Sequence, residues 1–140
     1  MEIDNKIQRY RDILNMFTDN NERYKFLIDL ARKAEPFPDE FRLENFKVRG
    51  CMSQVWLVPQ LIEGKIKYLC DSDAMIVKGT VTLIGDIYSG NTAQEILTND
   101  KNIMEELDLG NILSMNRRNG AYNMLNMVKE HAKMFIGDKQ

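Results

Sequence analysis

Cysteine and histidine are scarce in this chain: its 140 residues include two cysteines, one histidine, one tryptophan and three prolines. Cys51, Cys70 and His131 follow no known zinc-ligand spacing, and neither a Cys-x-x-Cys motif nor a glycine-rich phosphate loop is present, so metal, dithiol and nucleotide chemistry have no motif to rest on. Two cysteines make at most one disulfide, and a globular domain of this size needs no staple. Free thiols in a reducing compartment are therefore expected. Charge of one sign is missing too, since 19 Lys and Arg face 21 Asp and Glu for a net charge of -2, leaving no basic field to hold nucleic acid. No stretch approaches the roughly 18 apolar residues of a membrane span. Met1 to Asn5 opens on acids rather than a basic segment leading into an apolar run, which predicts a cytoplasmic protein with no membrane attachment. With 44% hydrophobic residues the chain can bury a core, yet it is short for two ordinary domains. A single domain over residues 1–140 follows.

What is present falls into a helical front and a mixed remainder divided near Pro36-Phe37-Pro38. Ile3, Ile7, Tyr10, Leu14 and Phe17 recur at helical spacing. After a break at Thr18 to Asn21, so do Tyr24, Leu27, Leu30, Ala31 and Ala34. Asp19 followed by Glu22 is a capping signal for this second helix. The period then changes to two, and residues 43–49, 53–58 and 65–70 predict a three-stranded antiparallel meander with turns at Gly50-Cys51-Met52 and Glu63-Gly64. Residues 74–89 are apolar around most of a helical circumference, with Asp71, Ser72 and Asp73 as cap candidates. Thr92 and Glu95 form a capping box for a helix over 93–98, and a last helix beyond Gly110 runs to about Ile136, with Gly137 as its stop. The fold class is α+β, a small antiparallel sheet with helices packed on it.

His131 sits late in that last helix with no acidic or cysteine partner nearby in sequence, and reads as a helix-surface residue. Cys70 shares an alternating strand face with Ile66 and Tyr68 and reads as packing volume. Cys51 has a different context. Gly50 and Ser53 bracket it at a loop tip, where a side chain can be presented to a partner, and Lys47 and Arg49 are near enough in sequence to favour its thiolate.

Three blocks then carry a resemblance: Val48 to Leu57 (VRGCMSQVWL), Cys70 to Gly79 (CDSDAMIVKG), and Leu113 to Arg117 (LSMNR) with Gly120 beyond. In order and separation they are similar to the signature blocks of the SufE family of cysteine desulfuration proteins. The resemblance spans the chain and implies the fold shared with IscU-like Fe-S scaffold proteins. It implies that Cys51 is a persulfide acceptor, loaded by a pyridoxal-phosphate cysteine desulfurase of the SufS kind and unloaded onto a SufBCD-like Fe-S scaffold. It also implies that the chain stimulates the desulfurase rather than acting as a stand-alone enzyme, and holds no cofactor or metal. Arg117 matches the family arginine, in a first helical turn where cations are disfavoured, and is a candidate to stabilise the sulfur anion or contact the desulfurase. Asp73 and Arg49 are the other supporting candidates. Met52 stands where many relatives carry Gln, and Ser114 to Asn116 lacks the proline common before the family arginine.

Two other functions stay open from the residues alone. One is an IscU-like scaffold, for which Cys70 would be a second ligand. The other is an interaction module in which Cys51 is structural. A carrier must also guard its sulfur from solvent thiols, so Met52, Val55 and Trp56 are expected to line an apolar shelter for it, with Gly50 letting the loop swing out.

Overall fold

The periodicity of the front half produces two helices, α1 (Glu2–Asn15) and α2 (Asn20–Arg32), in the computed structural model, which describes residues 2–136. Ile3, Ile7, Tyr10 and Leu14 form the buried stripe of α1, and Leu27 and Ala31 that of α2. Asp19 caps α2, its carboxylate accepting from the Glu22 N–H at 2.9 Å. Glu22 does not reach back to the cap residue; its carboxylate accepts from the Thr18 hydroxyl at 3.2 Å.

The sheet is smaller than the alternation predicts. Among the described residues it has two strands, β1 (Val55–Ile62) and β2 (Lys65–Ser72), antiparallel with Val55 opposite Ser72 and Ile62 opposite Lys65. Glu63 and Gly64 join them with φ of 51° and 80°, the left-handed pair that a two-residue hairpin turn requires. The predicted first strand is replaced by a 3₁₀ turn at Glu44–Phe46 and a single bridge from Lys47 to Trp56. Side-chain packing accounts for the loss. Phe46 meets Phe41 edge-on at 6.0 Å, and Arg42 stacks on Phe37 and Trp56 at 5.0 Å each, so residues 37–46 fold back in short turns over Trp56 instead of extending.

The apolar run after β2 forms α3 (Met75–Tyr88), with ten residues buried, packed on α2, β2 and the last helix. Gly79 permits the closest of these approaches: a Cβ there would lie 1.9 Å from the Leu27 carbonyl oxygen. The expected side-chain cap from Asp71 or Asp73 is not made, because Asp71 ends up in the strand and both carboxylates have other partners. Ala74 occupies the cap position, and the Ser72 hydroxyl accepts its N–H at 3.3 Å. Thr92 and Glu95 form the predicted capping box of α4 (Ala93–Thr98). A short α5 (Ile103–Glu106), not among the predicted helices, precedes α6 (Met115–Met134). Gly137, the predicted stop of the last helix, lies outside the described residues. His131 is not on the surface as expected. It is 7% exposed, its ring lies parallel to that of Tyr68 at 6.2 Å, and burial pushes its pKa down to about 4 although Glu130 pulls the other way.

Candidate functional site

Cys51 lies in the loop between the Lys47 bridge and β1, and both ends of that loop are fixed. At the front, the Val48 N–H donates to the Val55 carbonyl at 2.8 Å. Gly50 adopts φ of 82° and approaches α6 so closely that a Cβ would lie 2.4 Å from Asn123 Nδ2. Only glycine meets both demands. At the back, Gln54 is held from the end of β2: its carbonyl accepts the Ser72 hydroxyl at 2.6 Å, and its N–H and side-chain amide donate to Asp73 at 3.0 and 3.4 Å. Asp73 therefore acts on the loop and not on the sulfur. Gly50 seats the loop on α6, which is the opposite of the freedom expected of it.

The thiol points against α6. Cys51 Sγ donates to the Gly120 carbonyl at 3.6 Å, and a Cβ on Gly120 would lie 3.4 Å from that sulfur. Around it is a cavity of about 320 Å³. Its walls come from three places: Met52 and Ser53 beside the cysteine, Val77 and Thr80 on α3, and the first turns of α6, from Ser114 through Arg117 to Met124. Val55 and Trp56, expected to shelter the sulfur, are buried in the sheet and do not line this cavity. Met52 does line it, yet is 85% exposed. The shelter is thus built by helices distant in sequence rather than by the strand beside the cysteine.

Electrostatically the site departs from the sequence expectation. Burial pushes the Cys51 thiol above its ordinary pKa. Neither neighbouring cation relieves this: Lys47 reaches Glu44 at 3.5 Å and covers the Trp56 ring, and Arg49 is exposed and does not line the cavity. The cation on the wall is Arg117, half-buried and, among the described residues, without a hydrogen-bond or ion-pair partner. The structure therefore brings Arg117 to the same cavity as Cys51, puts Asp73 one step behind through Gln54, and leaves Arg49 outside.

Asp71, a cap candidate in the sequence, has another task. It is buried, paired with Arg42 at 2.7 Å and Lys78 at 3.3 Å. Burial works to raise its pKa, but the Arg42 hydrogen bond, the Ser72 N–H and Lys78 outweigh it and hold the carboxyl below the ordinary range. Because Asp71 faces Trp56 across the ladder, this ion pair anchors the strand end from which Ser72 and Asp73 grip the loop. No local signal in the sequence links Arg42 to it.

Cys70 lines a separate cavity of about 380 Å³ bounded by α1, α2, β2 and α3. Its Sγ donates to the Val81 carbonyl at 3.5 Å, and burial pushes the thiol up to about 11. Among the described residues no group of three or more His, Cys, Asp or Glu is arranged to hold a metal ion, and no helix is long and apolar enough to cross a membrane.

Comparison with known proteins adds the following. The family model described as "SufE: Fe-S metabolism associated domain" matches residues 8–132. An uncharacterised SufE-like protein of Synechocystis is 37% identical over 118 residues, covering 84% of this chain and 74% of its own. The cysteine desulfuration protein SufE of Wigglesworthia glossinidia brevipalpis is 32% identical over 118 residues, covering 82% and 81%. The solution structure of a hypothetical protein from Thermus thermophilus superposes with a TM-score of 0.77 at 17% identity, over 94% of this chain and 96% of that one, so the two share a fold.

Proposed function

The chain belongs to the SufE family, which ties it to Fe-S metabolism and cysteine desulfuration, and from that premise we propose that Cys51 is the sulfur acceptor of a transpersulfuration carrier. The donor is a SufS-like, pyridoxal-phosphate cysteine desulfurase, and the recipient an Fe-S assembly scaffold of the SufBCD kind. The chain works as one cytoplasmic domain that relieves the desulfurase of its sulfur. The observation that carries this reading is that Cys51 and an arginine with no partner among the described residues line one cavity, although they stand 66 residues apart in sequence, within two family signature blocks.

The chemistry is exchange at sulfur. The Cys51 thiolate attacks the outer sulfur of the desulfurase persulfide; the new S–S bond forms as the donor's own S–S bond breaks, and the donor cysteine leaves as thiolate with no net oxidation. Because burial disfavours the Cys51 thiolate, the free carrier is a poor nucleophile at neutral pH. Arg117 supplies the positive charge that an anionic sulfur in this cavity lacks elsewhere. The loop clamp at Gln54 keeps the sulfur turned inward, and a partner opens it only by binding the open form more tightly. What favours a carrier over an IscU-like scaffold is that Cys51 and Cys70 line different cavities, whereas a cluster needs converging thiolates.

Incubation with a cysteine desulfurase and cysteine, followed by intact and peptide mass measurement, tests the proposal. A reductant-labile gain of sulfur on Cys51 is expected. Equal loading of a Cys51→Ser variant would refute it.

A further inference from the structure

A relay that hands one sulfur atom from protein to protein needs little room, and this cavity has much more than that. At about 320 Å³ it holds the volume of about ten waters and falls within the range of small-molecule sites, roughly 300 to 1,000 Å³. We infer that the Cys51 cavity also binds a small thiol bearing a carboxylate, so that Cys51 exchanges sulfur with an amino-acid-sized persulfide such as cysteine persulfide while Arg117 holds its carboxylate. This rests on the reading of Cys51 as a sulfur acceptor and names a second class of substrate for the same site.

Arg117 is the main argument. Arg42 is paired with Asp39 and Asp71, and Arg11 with Glu106; Arg49 and Arg118 have no carboxylate partner among the described residues, but neither lines this cavity. Arg117 is half-buried on the cavity wall with no such partner among the described residues. A guanidinium presents parallel donors in a fixed fork that matches two carboxylate oxygens, a geometry that a single sulfur anion does not use. Its surroundings point the same way. Ser114 caps α6 without a side-chain hydrogen bond, so the first N–H groups of this 20-residue helix keep their positive potential beside the cavity. Ser53 and Asn116 add polar groups for the remainder of an amino-acid-sized ligand, and one turn below Arg117 the Gly120 backbone leaves the sulfur end of the cavity free of a side chain.

The step balances without an added oxidant. The Cys51 thiolate attacks the outer sulfur of R–S–S–H, the new bond to Sγ forms, the bond between the two donor sulfurs breaks, and R–S⁻ leaves and takes up the proton that Cys51 gave up.

The full-length protein is exposed in parallel to cysteine persulfide and to cysteamine persulfide, which lacks the carboxylate, and reductant-labile sulfur on Cys51 is followed by mass. An unstructured peptide of the loop sequence sets the intrinsic ratio of the two donors. We expect the folded protein to favour the carboxylated donor about tenfold beyond that ratio, a difference of about 1.4 kcal/mol. Arg117→Lys, which keeps the charge and loses the fork, should retain part of the preference, and Arg117→Ala should return to the peptide ratio. A wild-type ratio equal to that of the peptide, or a preference that persists in a folded Arg117→Ala variant, overturns the inference. Should Arg117→Ala fail to fold, the wild-type protein still decides: Cys51 should alkylate faster with anionic iodoacetate than with neutral iodoacetamide, relative to the peptide, and added salt should erase the difference. Absence of that difference counts against the site. A desulfurase-loading arm separates the two readings. Loading by the enzyme without a carboxylate preference removes this inference alone, and a carboxylate preference without enzymatic loading removes the carrier reading alone.

Discussion

Replacing Gly120 by alanine should raise stability and lower activity in the same variant. Gly120 lies inside the 20-residue α6, where alanine is favoured over glycine by about 1 kcal/mol. In a domain of this size that corresponds to a rise in Tm of roughly 3 to 5 °C. The added methyl would lie 3.4 Å from Cys51 Sγ, inside the optimum of roughly 3.5 to 4.0 Å for carbon contacts, so the thiol must retreat by a few tenths of an ångström. The loop can yield that much, which keeps the stability change favourable. The same displacement moves Sγ off its 3.6 Å contact with the Gly120 carbonyl and narrows the space for an incoming sulfur. Since misplacement by about 1 Å costs roughly a hundredfold in rate, a few tenths should slow loading by roughly three- to tenfold. Thermal denaturation reads the first effect, and the rate of sulfur gain on Cys51 from a small persulfide that enters the closed cavity reads the second. Asn126→Ala, an exposed substitution on the same helix, is the control that stabilises without touching the cavity. Wild-type loading in Gly120→Ala would refute the idea that the backbone at this position makes room for the reacting sulfur, and a lower Tm would refute the steric estimate.

Four further outcomes follow from the same geometry. Cys51 alkylation followed against pH should show a midpoint above that of the same loop in an unfolded peptide, because burial raises the thiol pKa; a midpoint at or below the peptide's would mean that Arg117 already governs the resting thiol. Gly50→Ala should cost about 1 to 2 kcal/mol for its left-handed φ alone, plus the clash with Asn123, so pairing it with Asn123→Ala should recover only part of the loss in chemical denaturation. His131 is held neutral with a pKa of about 4 against an ordinary value near 6.5, so the unfolded chain binds the extra proton first: its contribution is present above pH 6.5 and is lost as pH falls through 4, by about 3 kcal/mol in all. A His131→Phe variant should therefore lose less stability than the wild type between pH 7 and pH 4, and parallel curves would contradict this. Cys70→Ser should remain folded, lose some stability from placing a hydroxyl where the thiol packs near Gly85, and still gain sulfur at Cys51; loss of loading with a normal melt would favour the scaffold reading.

Sequence alone determined what depends on neighbours a few residues apart. The apolar spacing of Ile3 to Leu14 fixes the buried face of α1, Thr92 with Glu95 fixes the start of α4, and Glu63-Gly64 fixes the hairpin turn between β1 and β2. The three signature blocks likewise carry the family and single out Cys51, since a motif is legible without its fold. Residues 43–49 show where local pattern stops deciding. They alternate like a strand, but a strand exists only if a partner accepts its hydrogen bonds, and the stacking of Arg42 with Phe37 and Trp56 and of Phe46 with Phe41 leaves one bridge in its place. His131 reads as exposed in sequence because burial is set by what packs on a helix, here Tyr68 of β2, and not by the helix itself. The reactive site is the strongest case. Lys47 and Arg49 are close to Cys51 in sequence and do not share its cavity, while Gly120, 69 residues away, accepts its hydrogen bond, and Arg117 lines the cavity with it. Charge acts through space and burial strips away water, so the state of a thiol belongs to the tertiary structure even when the identity of the thiol is written in the chain.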